Sequence, residues 1–538
     1  MNAATATRGS LWLLLLAWAV LTATALLTRP LLPVDETRYV GVAWEMWARG
    51  DFLVPYQNGA PYSHKPPLLF WLIQAGWWLF GVNELWPRLL APMIGLASLG
   101  LTALLARRLW PERPLASTLA PWLLFGCLFW AGFSTLVQFD LLVVCCTLLG
   151  MLGMLRAARG LGTGWLIVGL AVGLGILAKG PVVLLPLLSV GLLGRFWVDP
   201  GRLKGWHCWF GGLLSALVLG ALIGLAWALP AAEAGGAAYR QALFWGQVTG
   251  RMVDSFAHQA PFWWYLPWLP LLLLPWSLWP PLWVALRRLW RERAADRDAQ
   301  RGVRLLLAWA VPVLLVLSLV SGKQVKYLLP LFPALALLGG YALARAPVLR
   351  FPRRQWLAVL LLAVPVLLFV ALGLYDLDAG PHWAVALQPA RGEAFLLAAV
   401  LWWLWRPSDL ATTVRSLAVA GVVLIGGLHL AVLRVAAPAY DLHAISERIA
   451  ALQAEQRPIA HVGKYHSQFH FLGRLREPLQ VIAPGEVLEW AAAHPQGYLV
   501  VYFDSWPGPR EGAEYLQDYR GDSDDLALWS AAKLLAVH

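Results

Sequence analysis

The chain has 538 residues, 59% hydrophobic and 13% charged, with a mean hydropathy of +0.61. Soluble domains carry about 25% charged residues, so this composition excludes a soluble globular domain, a disordered chain or a fibre and describes a polytopic membrane protein. The net charge is +12, and the 33 Trp residues suit membrane–water interfaces, so the basic residues are placed against a bilayer and no nucleic-acid partner is expected.

In chain order, runs of about 20 apolar residues predict spans near 11–28, 87–106, 115–133, 138–155, 163–178, 181–197, 209–230, 262–286, 303–320, 328–344, 356–374, 393–405 and 413–433. That is about thirteen. The first is read as a retained span, because no small-residue cleavage site follows it. Pro186, Pro270, Pro275 and Pro312 fall inside spans, where neighbouring helices can satisfy the freed carbonyls. The four cysteines, Cys127, Cys145, Cys146 and Cys208, all lie in apolar stretches, so buried thiols are expected in place of disulfides or a zinc knuckle.

With the N-terminus in the cytoplasm, the inside loops collect 22 of the 42 basic residues. Lys/Arg asymmetry therefore sets the orientation. The segments near 29–87 and 231–261 then lie outside. The first mixes Trp44, Trp47 and Phe52 with charges, which predicts amphipathic helices in the interface plane. Two domains are expected: membrane-embedded residues 1–435 and a small α/β unit over 436–538 on the outside. In that tail Leu442, Ile445, Ile449 and Leu452 mark one helix face, and the Tyr498–Phe503 run reads as a buried strand. The tail holds 8 basic and 13 acidic residues, so contact with an anionic molecule would fall to local cations such as Lys464 or Arg474.

The candidate chemistry gathers on the outside face. It comprises Asp35, Glu36, Tyr39, Tyr62, His64 and Lys65 of the first loop, and Arg251, Asp254 and His258 of the second. Asp140, Lys179, Lys323, Lys326 and Tyr327 join them from shorter turns. Each has a plain alternative. Asp35 and Asp140 could be helix N-terminal acids, a lone lysine such as Lys326 could snorkel to water, and a lone His in a loop is ordinarily solvated. As a set, cations and carboxylates at the ends of separate helices suit an anionic lipid phosphate and general-base or charge-balancing work.

At these residues the chain resembles a known family. The runs Asp35-Glu-Thr-Arg-Tyr39, Gly50-Asp-Phe-Leu-Val-Pro55 and Tyr62-Ser-His-Lys-Pro-Pro67 occur in that order. With Ala178-Lys-Gly180, the Arg251…His258…Pro261-Phe-Trp-Trp-Tyr265 stretch and Ser321-Gly-Lys-Gln-Val-Lys-Tyr327, they resemble the membrane-bound GT-C glycosyltransferases. The nearest branch is the bacterial aminoarabinose transferases of lipid A, related to protein O-mannosyltransferases. The resemblance implies an all-α GT-C membrane domain, an undecaprenyl-phosphate-linked sugar as donor, and a lipid A phosphate as acceptor. It implies catalytic roles for Asp35 and Asp140. Donor-phosphate contacts are implied for Lys65, Arg251 and Tyr327, with Lys179 and Lys323 nearby and Glu36, Tyr39 and Tyr62 as further candidates. His64 stands where those transferases usually carry Glu, and Gln247 lies where they tend to carry His. The family's metal-binding pair is thus altered. No cofactor is required, and His64 and His258 remain as candidate ligands of a divalent metal such as zinc.

Two rivals frame this reading. One keeps the donor lipid and changes the sugar or uses a glycan or protein hydroxyl as acceptor. The other is a lipid or solute transporter, which tends to carry charges near the midplane and repeated halves, neither of which the sequence displays.

Overall fold

The computed structural model describes residues 3–246, 259–291, 297–346, 355–374, 382–385, 387, 392–506, 508, 510–520 and 525–537. Arg251, Asp254, His258 and Gln247 lie outside the described residues. Among the described residues, seven helices are long and apolar enough to cross a membrane, and six shorter apolar helices of 10–17 residues accompany them. The protein is a multi-pass membrane protein.

The first helix, α1 (Ala3–Thr28), shows how these elements are partitioned. Leu14, Ala17, Leu21 and Ala25 are buried, whereas Leu11, Trp12, Leu16 and Val20 stay uncovered. Both faces are apolar, one packing on protein and the other suited to lipid. After α1 come α2 (Asp35–Arg49), a short hairpin of β1 (Tyr56–Gln57) and β2 (Ala60–Pro61), and α3 (Leu68–Phe80). Helix α4 (Leu85–Leu109) follows. The run read as one span over 115–133 is two helices, α5 (Pro114–Phe125) and α6 (Leu128–Phe133). The break has a packing cause. A Cβ on Gly126 would sit 2.5 Å from Ala418, and the Leu128 N–H leaves the helix to bond Leu274 O at 2.9 Å.

Helices α7 (Asp140–Ala157) and α8 (Thr163–Lys179) form an antiparallel hairpin. Its arms have 18 and 17 residues, so the first residue of one returns beside the last residue of the other. At 1.5 Å per residue each arm is about 26 Å long, close to the thickness of a hydrocarbon core. The helix Trp206–Ala234 packs along α8 through small residues. A Cβ on Gly220 would lie 2.3 Å from Val172, and one on Gly224 2.8 Å from Ile176.

Other predicted spans are also interrupted. The 181–197 run becomes a 3-10 turn and the helices Leu184–Leu192 and Gly194–Trp197. The 262–286 run becomes Tyr265–Leu272, Trp276–Leu278 and Pro280–Arg291, divided at Pro275 and Pro280. Proline lacks the N–H that would continue each helix. Of the cysteines, Cys127 and Cys146 are buried and Cys145 partly so, but Cys208 is exposed, contrary to expectation.

The C-terminal part carries a five-stranded mixed sheet in the order β4-β3-β5-β7-β6. The strands are β3 (Ile459–Val462), β4 (Gln480–Ile482), β5 (Tyr498–Tyr502), β6 (Tyr515–Gln517) and β7 (Leu526–Ser530). β3 runs parallel to β4 and β5, and β7 is antiparallel to β5 and β6. The central strand is buried on both faces, which explains its unbroken apolar run. Leu499 and Val501 pack with Trp490 and Leu534, while Val500 packs with Ile445 and Ile449 of the helix His443–Ala454.

Candidate functional site

Helix α2 has its polar residues in register. Asp35, Arg38, Gly41, Glu45 and Arg49 recur every three or four residues and form one stripe. Glu36 and Tyr39 fall off the stripe and are buried, at 2% exposure each. Glu36 is an anchor. Its carboxylate pairs with Arg29 at 2.5 Å and accepts from Leu32 N at 2.9 Å and Val137 N at 2.7 Å. That ties α1, α2 and the turn before α7 together. A buried pair of this kind costs about 3–5 kcal/mol when one partner is removed. Glu36 is therefore structural, not a group open to a substrate.

Asp35 is the first residue of α2, but its carboxylate does not cap the helix. It pairs with Arg38, accepts from Gln138 Nε2 at 3.1 Å and lies 3.5 Å from Lys326 Nζ. Its side chain is 39% exposed, so the carboxylate is held by protein and still open to a ligand. Burial pushes its pKa up, but Lys326 first and then Arg38 and Gln138 outweigh burial and hold the group below the usual carboxylate range. It is charged at neutral pH.

The hairpin of α7 and α8 supplies the second carboxylate. Asp140 begins α7 and Lys179 ends α8, and Lys179 Nζ lies 2.5 Å from Asp140 Oδ1. Acid at a helix start and base at a helix end both suit the helix dipoles. The Lys179 ammonium also stands 5.0 Å over the Tyr327 ring. Tyr327 follows Lys326 in the 3-10 turn Val325–Leu331, so this turn joins the Asp140–Lys179 pair to Asp35. The Lys65 ammonium lies 5.7 Å from the centre of the Phe139 ring, which meets Tyr39 edge-on at 4.8 Å. Burial pushes the Tyr39 phenol up, which keeps it a hydrogen-bond donor.

Asp35, Tyr39, Lys65, Asp140, Lys179 and Tyr327 thus converge on one end of the bundle. Tyr62 lies within electrostatic reach of Arg38 and stacks on His64 at 5.2 Å. Lys323 departs from expectation. It is 3% exposed, and its ammonium donates to Val320 O at 2.5 Å and Ala260 O at 2.9 Å. Its neighbour Gly322 pairs with Gln259, so this turn pegs down the exit of the second loop. Lys326, three residues on, is the lysine that reaches Asp35. Among the described residues no group of three or more His, Cys, Asp or Glu side chains could hold a metal ion. His64 is engaged by Tyr62, and His258 is outside the described residues. No step below uses a metal.

Sequence reasoning named Lys326 among the candidate cations but gave no role to Arg38 or Gln138. Arg38 could have been found from its spacing three residues after Asp35 on a helix. Gln138 carried no such signal, because loop packing brings it to Asp35.

Residues 64–226 match the family model described as dolichyl-phosphate-mannose-protein mannosyltransferase. Among curated relatives, the undecaprenyl phosphate-alpha-4-amino-4-deoxy-L-arabinose arabinosyl transferase of Enterobacter sp. (strain 638) is 33% identical over 334 residues, 60% of this chain and 58% of the relative. The one from Edwardsiella ictaluri is 36% identical over 318 residues, 57% of this chain and 54% of the relative. The match thus spans little more than half the length of these relatives. Among solved structures, ArnT from Cupriavidus metallidurans in the apo state superposes with a TM-score of 0.75 at 21% identity, covering 98% of this chain and 99% of that one. The same protein bound to undecaprenyl phosphate gives a TM-score of 0.73. Along its whole described length the chain therefore has the fold of ArnT, the GT-C fold.

Proposed function

We propose that the protein transfers a sugar, 4-amino-4-deoxy-L-arabinose, from undecaprenyl phosphate to a lipid A phosphate at the periplasmic face of a bacterial inner membrane. The observation that carries the reading is the meeting of Asp35, Lys326, Tyr327, Lys179 and Asp140 from four separate elements at one end of the bundle. The names of the curated relatives and the undecaprenyl phosphate seen in the Cupriavidus metallidurans protein support the choice of donor.

Orientation rests on charge. Arg107 and Arg108 end α4 and Arg156 ends α7, at the opposite end of the bundle from Asp140. The basic end is cytoplasmic by the positive-inside rule, which puts the N-terminus inside and the site and the C-terminal sheet outside. In this reading about thirteen segments span or enter the bilayer. The chain divides near residue 435 into a membrane domain and a periplasmic α/β domain.

The chemistry is direct displacement. The acceptor oxygen bonds to the anomeric carbon from the face opposite the donor phosphate. The bond from that carbon to the phosphate oxygen breaks, and its electron pair leaves with undecaprenyl phosphate, so configuration inverts. Lys179, Lys65 and Arg251, with the Tyr327 hydroxyl, bind the donor phosphate and favour the charge that grows on it. Asp140 holds Lys179 in place. Asp35 faces the incoming group. A carboxylate held below its usual range is a weak base, whereas a hydroxyl acceptor calls for a base with a pKa near the working pH. A phosphate acceptor is already a nucleophile and needs only orientation and charge balance, which Asp35 with Arg38 and Lys326 can supply. The mannosyltransferase description of the matching family model keeps one alternative open, a different sugar or a hydroxyl acceptor on the same donor lipid.

Asp35→Asn tests the reading in purified protein given labelled polyprenyl-phosphate-linked aminoarabinose and lipid A. Transfer should fall by about 10²–10⁴-fold, the usual range for a lost acid–base or orienting group. Near-wild-type transfer would remove Asp35 from the mechanism.

A further inference from the structure

The polar stripe of α2 continues past the site and carries the C-terminal sheet unit. A Cβ on Gly41 would lie 2.6 Å from Ser467 O, so only glycine lets this backbone rest on the helix. One turn on, Glu45 accepts from Ser467 Oγ at 2.9 Å, and from Asn58 N at 2.6 Å and Gly59 N at 2.9 Å. Beyond it, Trp44 Nε1 donates to Leu475 O at 2.8 Å, and Trp77 stacks on Phe471 at 5.3 Å with 3° between the planes. The segment 467–475 is thus laid along α2 and fixed at several points.

This fixes the residues just before it. Gly463, at φ 79°, turns the chain out of β3. Tyr465 turns inward and bonds His470 Nδ1 at 2.7 Å. Lys464 stays exposed and His466 half-buried. Because Ser467 sits at Gly41, His466 comes within electrostatic reach of both Arg38 and Asp35, with Lys464 and Arg520 beside it. Burial first, and then Arg38, depresses the His466 pKa, so the imidazole is neutral at pH 7 and offers an N–H without adding charge. Arg474, the other cation that the tail could have offered, is spent on docking. Its guanidinium covers the Phe471 ring at 3.9 Å and the Trp44 ring at 5.4 Å.

We infer that Lys464 and His466 form the wall of the site that receives the acceptor and bind its anionic phosphate group. The inference rests on the function proposed above. In-line displacement needs the acceptor and the donor phosphate on opposite sides of the sugar. Lys326, which leads to Tyr327 and Lys179, approaches Asp35 at Oδ2, whereas Arg38, the residue within reach of His466, pairs with Oδ1. The tail is acidic overall, so a basic edge where His466 comes near Asp35 is a local exception that a phosphate would use.

The test is a kinetic comparison of His466→Ala, His466→Gln and Lys464→Ala/His466→Ala in the full-length protein, with acceptor and donor varied separately. The double variant should raise the acceptor KM about tenfold or more, with kcat and the donor KM retained, as for loss of uniform binding. His466→Gln keeps an N–H donor and should recover part of the loss. Undecaprenyl phosphate binding, followed by tryptophan fluorescence, should be unchanged in every variant. An unchanged acceptor KM in the double variant, or an equal rise in both KM values, overturns the inference. A wild-type protein that transfers no sugar overturns the underlying function instead.

Discussion

Asp35 and Asp140 are both first residues of helices, yet their neighbours give them different work. Asp140 is 5% exposed and committed to Lys179, whereas Asp35 shares three partners and keeps an open edge. Removing one member of a buried pair strands the other charge, at a cost of about 3–5 kcal/mol, while removing both restores neutrality. Asp140→Asn and Lys179→Met should therefore each lower the melting temperature, and the double variant should be less destabilised than either. A double variant whose loss equals the sum of the two would mean that the groups do not interact. At this scale the sequence named most of the cluster, Lys323 and Lys326 both included, but not which of the two lysines meets Asp35. The two lysines differ by three residues in an apolar run, and only the tight turn at Val325–Leu331 decides which one faces Asp35.

Helix α2 shows how one element serves two purposes. Its apolar side packs on α3, and its polar stripe serves the site at one end and the C-terminal unit at the other. The sequence predicts an amphipathic helix in the interface plane. The structure adds that the middle of the polar stripe is covered by protein: Glu45 is 5% exposed, while Asp35 and Arg49 at the two ends stay open. Gly41→Ala separates the two effects at work there. Helix propensity favours alanine by about 1 kcal/mol, while a clash with backbone in a packed contact costs about 1–3 kcal/mol. A lower melting temperature and faster proteolysis within 441–480 are expected. A raised melting temperature would show that Ser467 does not press on α2.

The sheet has its own acid limit. His461 in β3 is 0% exposed, and burial lowers its pKa from 6.5 to about 4. The folded unit thus prefers the neutral ring. Its contribution is fully present above pH 6.5 and is lost as the pH falls through about 4. Hydrogen exchange in β3 and β5 should quicken over that window, and His461→Gln should flatten the dependence. Equal acid sensitivity in His461→Gln would point to other groups.

For the whole molecule, the candidate site lies at one end of the bundle and Arg107, Arg108 and Arg156 at the other. Cys208 offers an internal reference, because it is exposed and lies in the first turn of the helix Trp206–Ala234 at the basic end. In intact spheroplasts a membrane-impermeant maleimide should label Lys464→Cys and spare Cys208 until the cells are lysed. The reverse pattern would turn the protein over in the membrane and end the periplasmic reading. The exposed apolar surface of α1 and of Trp206–Ala234 fits a lipid environment, and the close approach at Gly220 and Gly224 shows how helices pack where apolar burial alone gives no advantage.

The sequence by itself determined that the chain lives in a membrane, where most of its helices run, which end is basic, and which loops hold ionisable groups. These are local properties, set by runs of apolar residues, by charge and by short motifs. Tertiary structure alone decided that α5 and α6 break at Gly126, that Glu36 is anchored at Val137 while Lys326 meets Asp35, and that the C-terminal unit rests on Gly41. Each of these depends on atoms a hundred or more residues apart in the chain meeting within a few ångströms, and no periodicity in a single segment encodes such a meeting.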